Sequence, residues 1–98
     1  MRRQQVMTRL REHEPELREA GVSGLYLFGS TARDDARDGS DVDCFFDLSE
    51  PRGFTLFSLA ALAERLEAIL GSRVDLMTRA GIHPRRRARI ESEAIRVF

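Results

Sequence analysis

The chain has 98 residues, 42% of them hydrophobic, with 16 basic and 16 acidic side chains that cancel. That length supports one domain, residues 1–98, with a modest core, and the charge balance excludes a global field drawing the chain to nucleic acid or anionic lipid. The single cysteine, Cys44, excludes an internal disulfide. It lies in an apolar run and reads as a buried structural thiol, not a nucleophile. The basic start Met1-Arg2-Arg3-Gln4-Gln5 is followed by no apolar stretch, so a signal peptide is not expected. The longest apolar run, Leu59 to Ala63, falls far short of a membrane span, and a reducing cytoplasm is the expected location.

In chain order, Val6, Met7, Leu10 and Leu17 mark an amphipathic helical region. Pro15 interrupts it, because proline is poorly tolerated inside a helix and favoured in the first turn. The reading is one helix over Arg3–Arg11 and a short second one over Pro15–Ala20, closed by Gly21 at the left-handed position. Gly24–Phe28 is a strand and Gly29-Ser30 a turn. Thr31–Ala36 forms one or two helical turns, with Arg33 facing the glycine turn. A polar segment over Asp34–Ser40 leads to a second strand, Asp41–Leu48, then a loop at Ser49-Glu50-Pro51-Arg52-Gly53. Leu56, Leu59, Leu62, Ala63, Leu66, Ile69 and Leu70 recur at helical spacing, predicting a long helix over Thr55–Leu70 ended by Gly71. Arg73–Met77 is a third strand. Pro84 opens a last helix whose Ile90, Ala94, Val97 and Phe98 form an apolar stripe.

The order α, α, β, β, α, β, α predicts an α+β fold: a small mixed sheet backed by helices on one face. The first two strands pair directly, and the other face stays open for a ligand.

The chemistry concentrates at the strand ends. Gly29-Ser30 closes the first strand, and ten residues later Asp41-Val42-Asp43 opens the second. Residues i and i+2 of a strand share a face, so Asp41 and Asp43 point the same way, roughly 6.6 Å apart along the backbone. Such carboxylates repel unless a cation lies between them. They can converge on one metal, or on a pair of metals roughly 3.5–4 Å apart. Asp75 lies in the apolar strand Val74-Asp75-Leu76, where a lone aspartate is expensive unless paired or metal-bound. With the third strand beside the second, Asp75 joins the same face. Three carboxylates and a glycine turn suffice for two Mg²⁺ ions and a triphosphate. One metal would activate an acceptor hydroxyl, and the other would hold the phosphates.

Gly29-Ser30-x10-Asp41-x-Asp43 with a later strand Asp75 resembles the DNA polymerase β-like nucleotidyltransferase superfamily. The wording Leu27-Phe28-Gly29-Ser30-Thr31-Ala32-Arg33 and the short chain are similar to its minimal nucleotidyltransferase (MNT) branch. The resemblance implies that Gly29 and Ser30 hold nucleotide phosphates, with Arg33 beside them. It implies that Asp41 and Asp43 bind both metals and that Asp75 completes the site. It further implies ATP as substrate, Mg²⁺ as cofactor and transfer of AMP to a hydroxyl, most often a tyrosine of a HEPN-type toxin in a hetero-oligomer. The alternative is a catalytically weak or inactive antitoxin that neutralises its partner by complex formation. One departure stands out: many relatives have Ala-Arg-Gly after the turn, whereas here Arg33 precedes Asp34 and Asp35.

Other features have blander readings beside these. Asp75 could instead pair with Arg73 or Arg79, and Asp47 reads as an exposed strand-end acid. Arg85, Arg86, Arg87 and Arg89 read as a solvated helix face, with a partner or RNA contact as the other reading. No aromatic residues interleave with them to stack bases, so direct nucleic-acid binding is not expected. His13 and His83 lack metal-ligand spacing.

Overall fold

Proline and glycine punctuate the chain where local sterics require it. The computed structural model describes every residue from Met1 to Phe98. Helix α1 (Arg3–Glu12) gives way to α2 (Glu14–Glu19), with Pro15 in the first turn of the second helix. Strand β1 (Val22–Phe28) runs into a single helical turn, α3 (Gly29–Ala32), and strand β2 (Val42–Leu48) follows. The long helix α4 (Leu56–Leu70) starts at Thr55, whose hydroxyl accepts the Ser58 amide, and stops at Gly71 with φ 68°. Strand β3 (Val74–Thr78), a 3-10 turn at Arg79–Gly81, helix α5 (Pro84–Glu93) and strand β4 (Ile95–Arg96) complete the chain.

The four strands form one mixed sheet in the order β3-β2-β1-β4. β1 pairs antiparallel with both β2 and β4, and β2 pairs parallel with β3. Direct pairing of the first two strands and an α+β architecture agree with the expectation. The last segment does not. The helix expected to carry Ala94, Val97 and Phe98 ends at Glu93, and Ala94 turns extended at ψ 146°. Ile95 then pairs with Leu27 and Arg96 with Tyr26. Val97 donates to the Leu25 carbonyl at 2.8 Å, and the Leu25 amide donates to Phe98 at 3.1 Å. The Leu25 amide and carbonyl would otherwise lack partners on that side, and ladder pairing outweighs continuation of the helix.

Side-chain parity divides the sheet into two faces. Leu25 and Leu27 of β1 and Val42, Cys44 and Phe46 of β2 join Val6, Leu10, Leu62, Leu66 and Leu70 in the main core. Leu56, expected in the apolar stripe of α4, is instead exposed, as is Phe57 beside it. On the opposite face Phe28 and Phe45 pack with Ile82 and Ile90, and Tyr26 stacks on Phe45 with ring centroids 4.8 Å apart. The second face is thus partly covered by α5, where an open face was expected. Its open part is the edge at which β2 and β3 begin.

Arg79 fastens the far end of this face. Its guanidinium lies 4.8 Å from the Tyr26 ring centroid and 4.9 Å from that of Phe45, and forks onto Asp47 at 2.8 and 3.0 Å. Glu91 completes the pairing at 2.5 Å. Hydrogen bonding to Asp47 first, then to Glu91, pushes the Arg79 pKa up. Asp47 is therefore a structural ion-pair partner, not the free strand-end acid expected.

Stability should follow this division. Phe46→Ala removes a fully buried ring and is expected to cost about 3–5 kcal/mol. Phe57→Ala trims an exposed one and is expected to stay within about 0.5 kcal/mol. Urea unfolding of both variants checks this. Equal losses would contradict the placement of the core.

Candidate active site

The site begins where β1 ends. Phe28 is the register partner of Asp43, and Gly29, the next residue, sits at φ 69° and opens α3. Side chains rarely adopt that conformation. A Cβ at Gly29 would also run into the Asp43 carboxylate and lie 3.3 Å from its Cγ. Glycine is thus required twice, by backbone conformation and by the closeness of Asp43. The turn leaves amide donors at the start of α3 without intrahelical partners.

On the other side of β2, Asp43 is the register partner of Asp75. Parallel neighbours lie about 4.8 Å apart, so two carboxylates crowd one face. Asp41 stands just before β2 with the same parity as Asp43, and its carboxylate lies 3.5 Å from Arg73 Nε. Both partners of that pair are well exposed, so it holds Asp41 only weakly. Burial, then the charges of Asp75 and Asp41, hold the Asp43 carboxyl above the usual range, and Arg33 and Arg86 offset part of this. A bound cation would relieve that strain. The three acids are neighbours on one edge and not a closed cage: no three His, Cys, Asp or Glu side chains are gathered closely enough to enclose a metal. Their chemistry still fits Mg²⁺, which takes oxygen ligands and commonly uses one or two carboxylates with waters and substrate phosphates.

The pairing of Asp75 with Arg73 or Arg79 does not form, because Arg73 faces Asp41 and Arg79 holds Asp47 and Glu91. The burial cost expected of Asp75 does not arise either, since β3 is an edge strand and Asp75 is exposed. Cys44 is fully buried between these acids in sequence. Burial, with the neighbouring charges of Asp43 and Asp75, pushes its thiol far up, as suits a structural residue.

Comparison with known proteins decides the family. The sequence pattern of the nucleotidyltransferase domain matches residues 10–97. The chain belongs to the nucleotidyltransferase domain family. It is 39% identical over 80 residues to the protein adenylyltransferase MntA of Thermococcus cleftensis, covering 81% of this chain and 79% of that protein. A solved structure described as a minimal nucleotidyltransferase superposes with a TM-score of 0.80 at 38% identity, covering 97% of this chain and 95% of the other. The same fold occurs in a complex of a tri-AMPylated HEPN toxin of Shewanella oneidensis with an MNT antitoxin. That match has a TM-score of 0.69 at 18% identity and covers 98% of this chain and 71% of the other.

In this nucleotidyltransferase the acids after the turn have defined places. Asp34 adopts φ 60°, a left-handed conformation that glycine takes freely and aspartate tolerates. Its carboxylate accepts the Arg3 amide at 3.0 Å and ties α1 to the turn. Asp35 lies 3.3 Å from Arg33 Nε, so it draws charge from the arginine next to the site.

A cavity of about 320 Å³ opens beside the turn, lined by Gly29, Arg33, Asp43, Arg86, Arg89 and Glu93, with Phe28 and Ile90 as its floor. Of the α5 residues, sequence reasoning considered the Arg85–Arg89 cluster as a partner contact and did not single out Glu93. Arg86, Arg89, Ile90 and Glu93 recur at three- and four-residue steps, the spacing of one helical face, and that was the available signal. The arginine cluster is not one solvated face. Arg86 and Arg89 line this cavity, while Arg87 donates to the Ala80 and Ile82 carbonyls at 3.2 Å and pins the 3-10 turn to α5.

Gly29→Ala should displace the Asp43 carboxylate and strain the turn, lowering stability by about 1–2 kcal/mol. Thermal unfolding and a crystal structure of the variant would test this. An unmoved Asp43 at unchanged stability would contradict the close approach.

Proposed function

We propose that the chain transfers AMP from ATP to a hydroxyl on a partner protein, with a tyrosine of a HEPN-type toxin as acceptor. The observation that carries this reading is the in-register pairing of Asp43 with Asp75 beside the Gly29 turn. The 39% identity to a protein adenylyltransferase supports the reaction class, and the fold shared with an MNT antitoxin found with an AMPylated HEPN toxin supports the partner class. Gly29, Ser30 and Arg33 would receive the phosphates, and Asp41, Asp43 and Asp75 would hold Mg²⁺. Bound there, Mg²⁺ would neutralise phosphate charge and lower the pKa of the acceptor hydroxyl. Asp75, exposed at the sheet edge, would take the hydroxyl proton. The acceptor oxygen forms a bond to the α-phosphorus, the bond from that phosphorus to the pyrophosphate oxygen breaks, and pyrophosphate leaves.

A second reading is a non-catalytic antitoxin that acts by covering its partner. It is favoured by the ion pairs that Arg33 makes with Asp35 and Glu93, which compete with phosphate. Incubation of the chain and its HEPN-type partner with α-labelled ATP separates the two. Label should appear on the partner, with a mass increase of one or more adenylyl groups. A stable complex without label would support the second reading.

Asp43→Asn is expected to lower transfer by roughly 10²–10³ or more, since several kcal/mol of metal-mediated stabilisation is lost at 1.36 kcal/mol per tenfold. Its thermal stability without metal should hold or rise, because burial and two neighbouring acids disfavour the charged form of Asp43. Asp75→Asn should lower the transfer rate more than ATP affinity, because proton removal matters mainly in the transition state. Measured rates and nucleotide affinities of both variants check this. Near-wild-type transfer by a folded Asp43→Asn chain would sink the catalytic reading.

A further inference from the structure

Glu93, the last residue of α5, reaches back to the start of α3. Its Oε1 accepts the Gly29 amide at 3.2 Å, and its Oε2 lies 3.6 Å from Arg33 Nη1. The side chain is largely sheltered, at 28% exposure. A carboxylate at a helix C-terminus faces the unfavourable end of the helix dipole, so Glu93 draws its favourable partners from outside its own helix. Those partners are one amide of the glycine turn and the guanidinium next to it, the same two donors that an anionic phosphate would use. Arg86 and Arg89 line the same cavity, with Asp43 as its other acid, so Glu93 is not their only neighbour of opposite charge and its departure leaves them partnered.

We propose that Glu93 is an internal stand-in for a nucleotide phosphate, which occupies the turn in the free chain and must swing out before a triphosphate can seat. The proposal rests on the reading that the Gly29–Ser30 turn receives nucleotide phosphates. The Gly29 amide has a single hydrogen, and a phosphate drawn to it would crowd the Glu93 carboxylate, so the two anions exclude each other there. Apparent nucleotide affinity is then reduced by the fraction of chains in which the turn is free. Once Glu93 leaves, Nη1 of Arg33 is released to pair with phosphate while its Nε keeps Asp35, and Arg86 and Arg89 remain on the cavity wall.

Calorimetric titration of the wild-type chain, Glu93→Ala and Glu93→Gln with ATP and Mg²⁺, with tripolyphosphate and with adenosine tests this. Glu93→Ala should bind ATP and tripolyphosphate about tenfold more tightly, equivalent to about 1.4 kcal/mol. Glu93→Gln should fall between, since its amide oxygen can still accept from Gly29 but no longer attracts Arg33. If Glu93→Ala does not fold, a gain in the Glu93→Gln chain carries the test. Adenosine affinity should be the same in all three. Unchanged or weaker ATP binding by folded variants would overturn the proposal, weaker binding meaning that Glu93 positions Arg33 for the ligand. Adenosine tightening as much as ATP would also overturn it, because the variant would then have opened space and not freed phosphate donors. If neither ATP nor tripolyphosphate binds any of the three chains, the nucleotide reading itself fails and takes the proposal with it.

Discussion

The parallel pairing of β3 with β2 fixes everything the site contains. It sets Asp75 opposite Asp43, and a shift by one residue would turn Asp75 into the main core and Leu76 out of it. The antiparallel pairing of β1 with β2 does the same on the other side, ending β1 at Phe28 opposite Asp43 so that the next residue must turn. The hydrophobic pattern holds both registers. Cys44 and Phe46 face α1 and α4, while Asp43 and Phe45 face the other way. Core packing therefore sets the positions of Asp43 and Asp75, and only Asp41, just before β2, lies in a loop.

Charge around this edge is arranged in opposed pairs. Asp41 faces Arg73, Arg33 faces Asp35 and Glu93, and Arg86 and Arg89 line the cavity that Asp43 enters. Of the three acids only Asp41 has a cationic partner within ion-pair distance, and Asp43 and Asp75 have none. Such a network can exchange partners at little cost, because its ion pairs are largely exposed. The proposed binding of a nucleotide with Mg²⁺ would call on such an exchange. The far end of the same face is static by contrast, locked by Arg79 between two rings and two carboxylates.

Much of this was legible in the sequence because it depends on local spacing. The adjacency of Gly29, Asp43 and Asp75 follows from strand parity and from one crossover helix. Position 34 illustrates a partial reading: Asp34 and Asp35 stood out as extra charge near the turn, but the left-handed backbone that makes Asp34 acceptable becomes visible only in three dimensions. β4 was missed because a two-residue strand has no signature of its own and exists through pairing with β1. The alternation of Ile95, Arg96 and Val97 carried a strand parity that the helical stripe obscured. The partial cover of the second face was also hidden, although consecutive Phe45 and Phe46 pointed to burial on both sides of β2. Glu93 escaped notice because its role arises from a contact with Gly29, 64 residues away in the chain.

The central claim is that the strand edge bearing Asp41, Asp43 and Asp75 is the cation–nucleotide site. It is tested most directly by paramagnetic broadening of backbone amide signals during titration with Mn²⁺ and ATP. Broadening should centre on Gly29 to Thr31, Asp41 to Asp43 and Asp75, and should be lost in the Asp43→Asn chain. Broadening centred on another acidic surface, such as Asp34 to Asp38 or Glu14 to Glu16, with the strand-edge amides unaffected, would contradict the account.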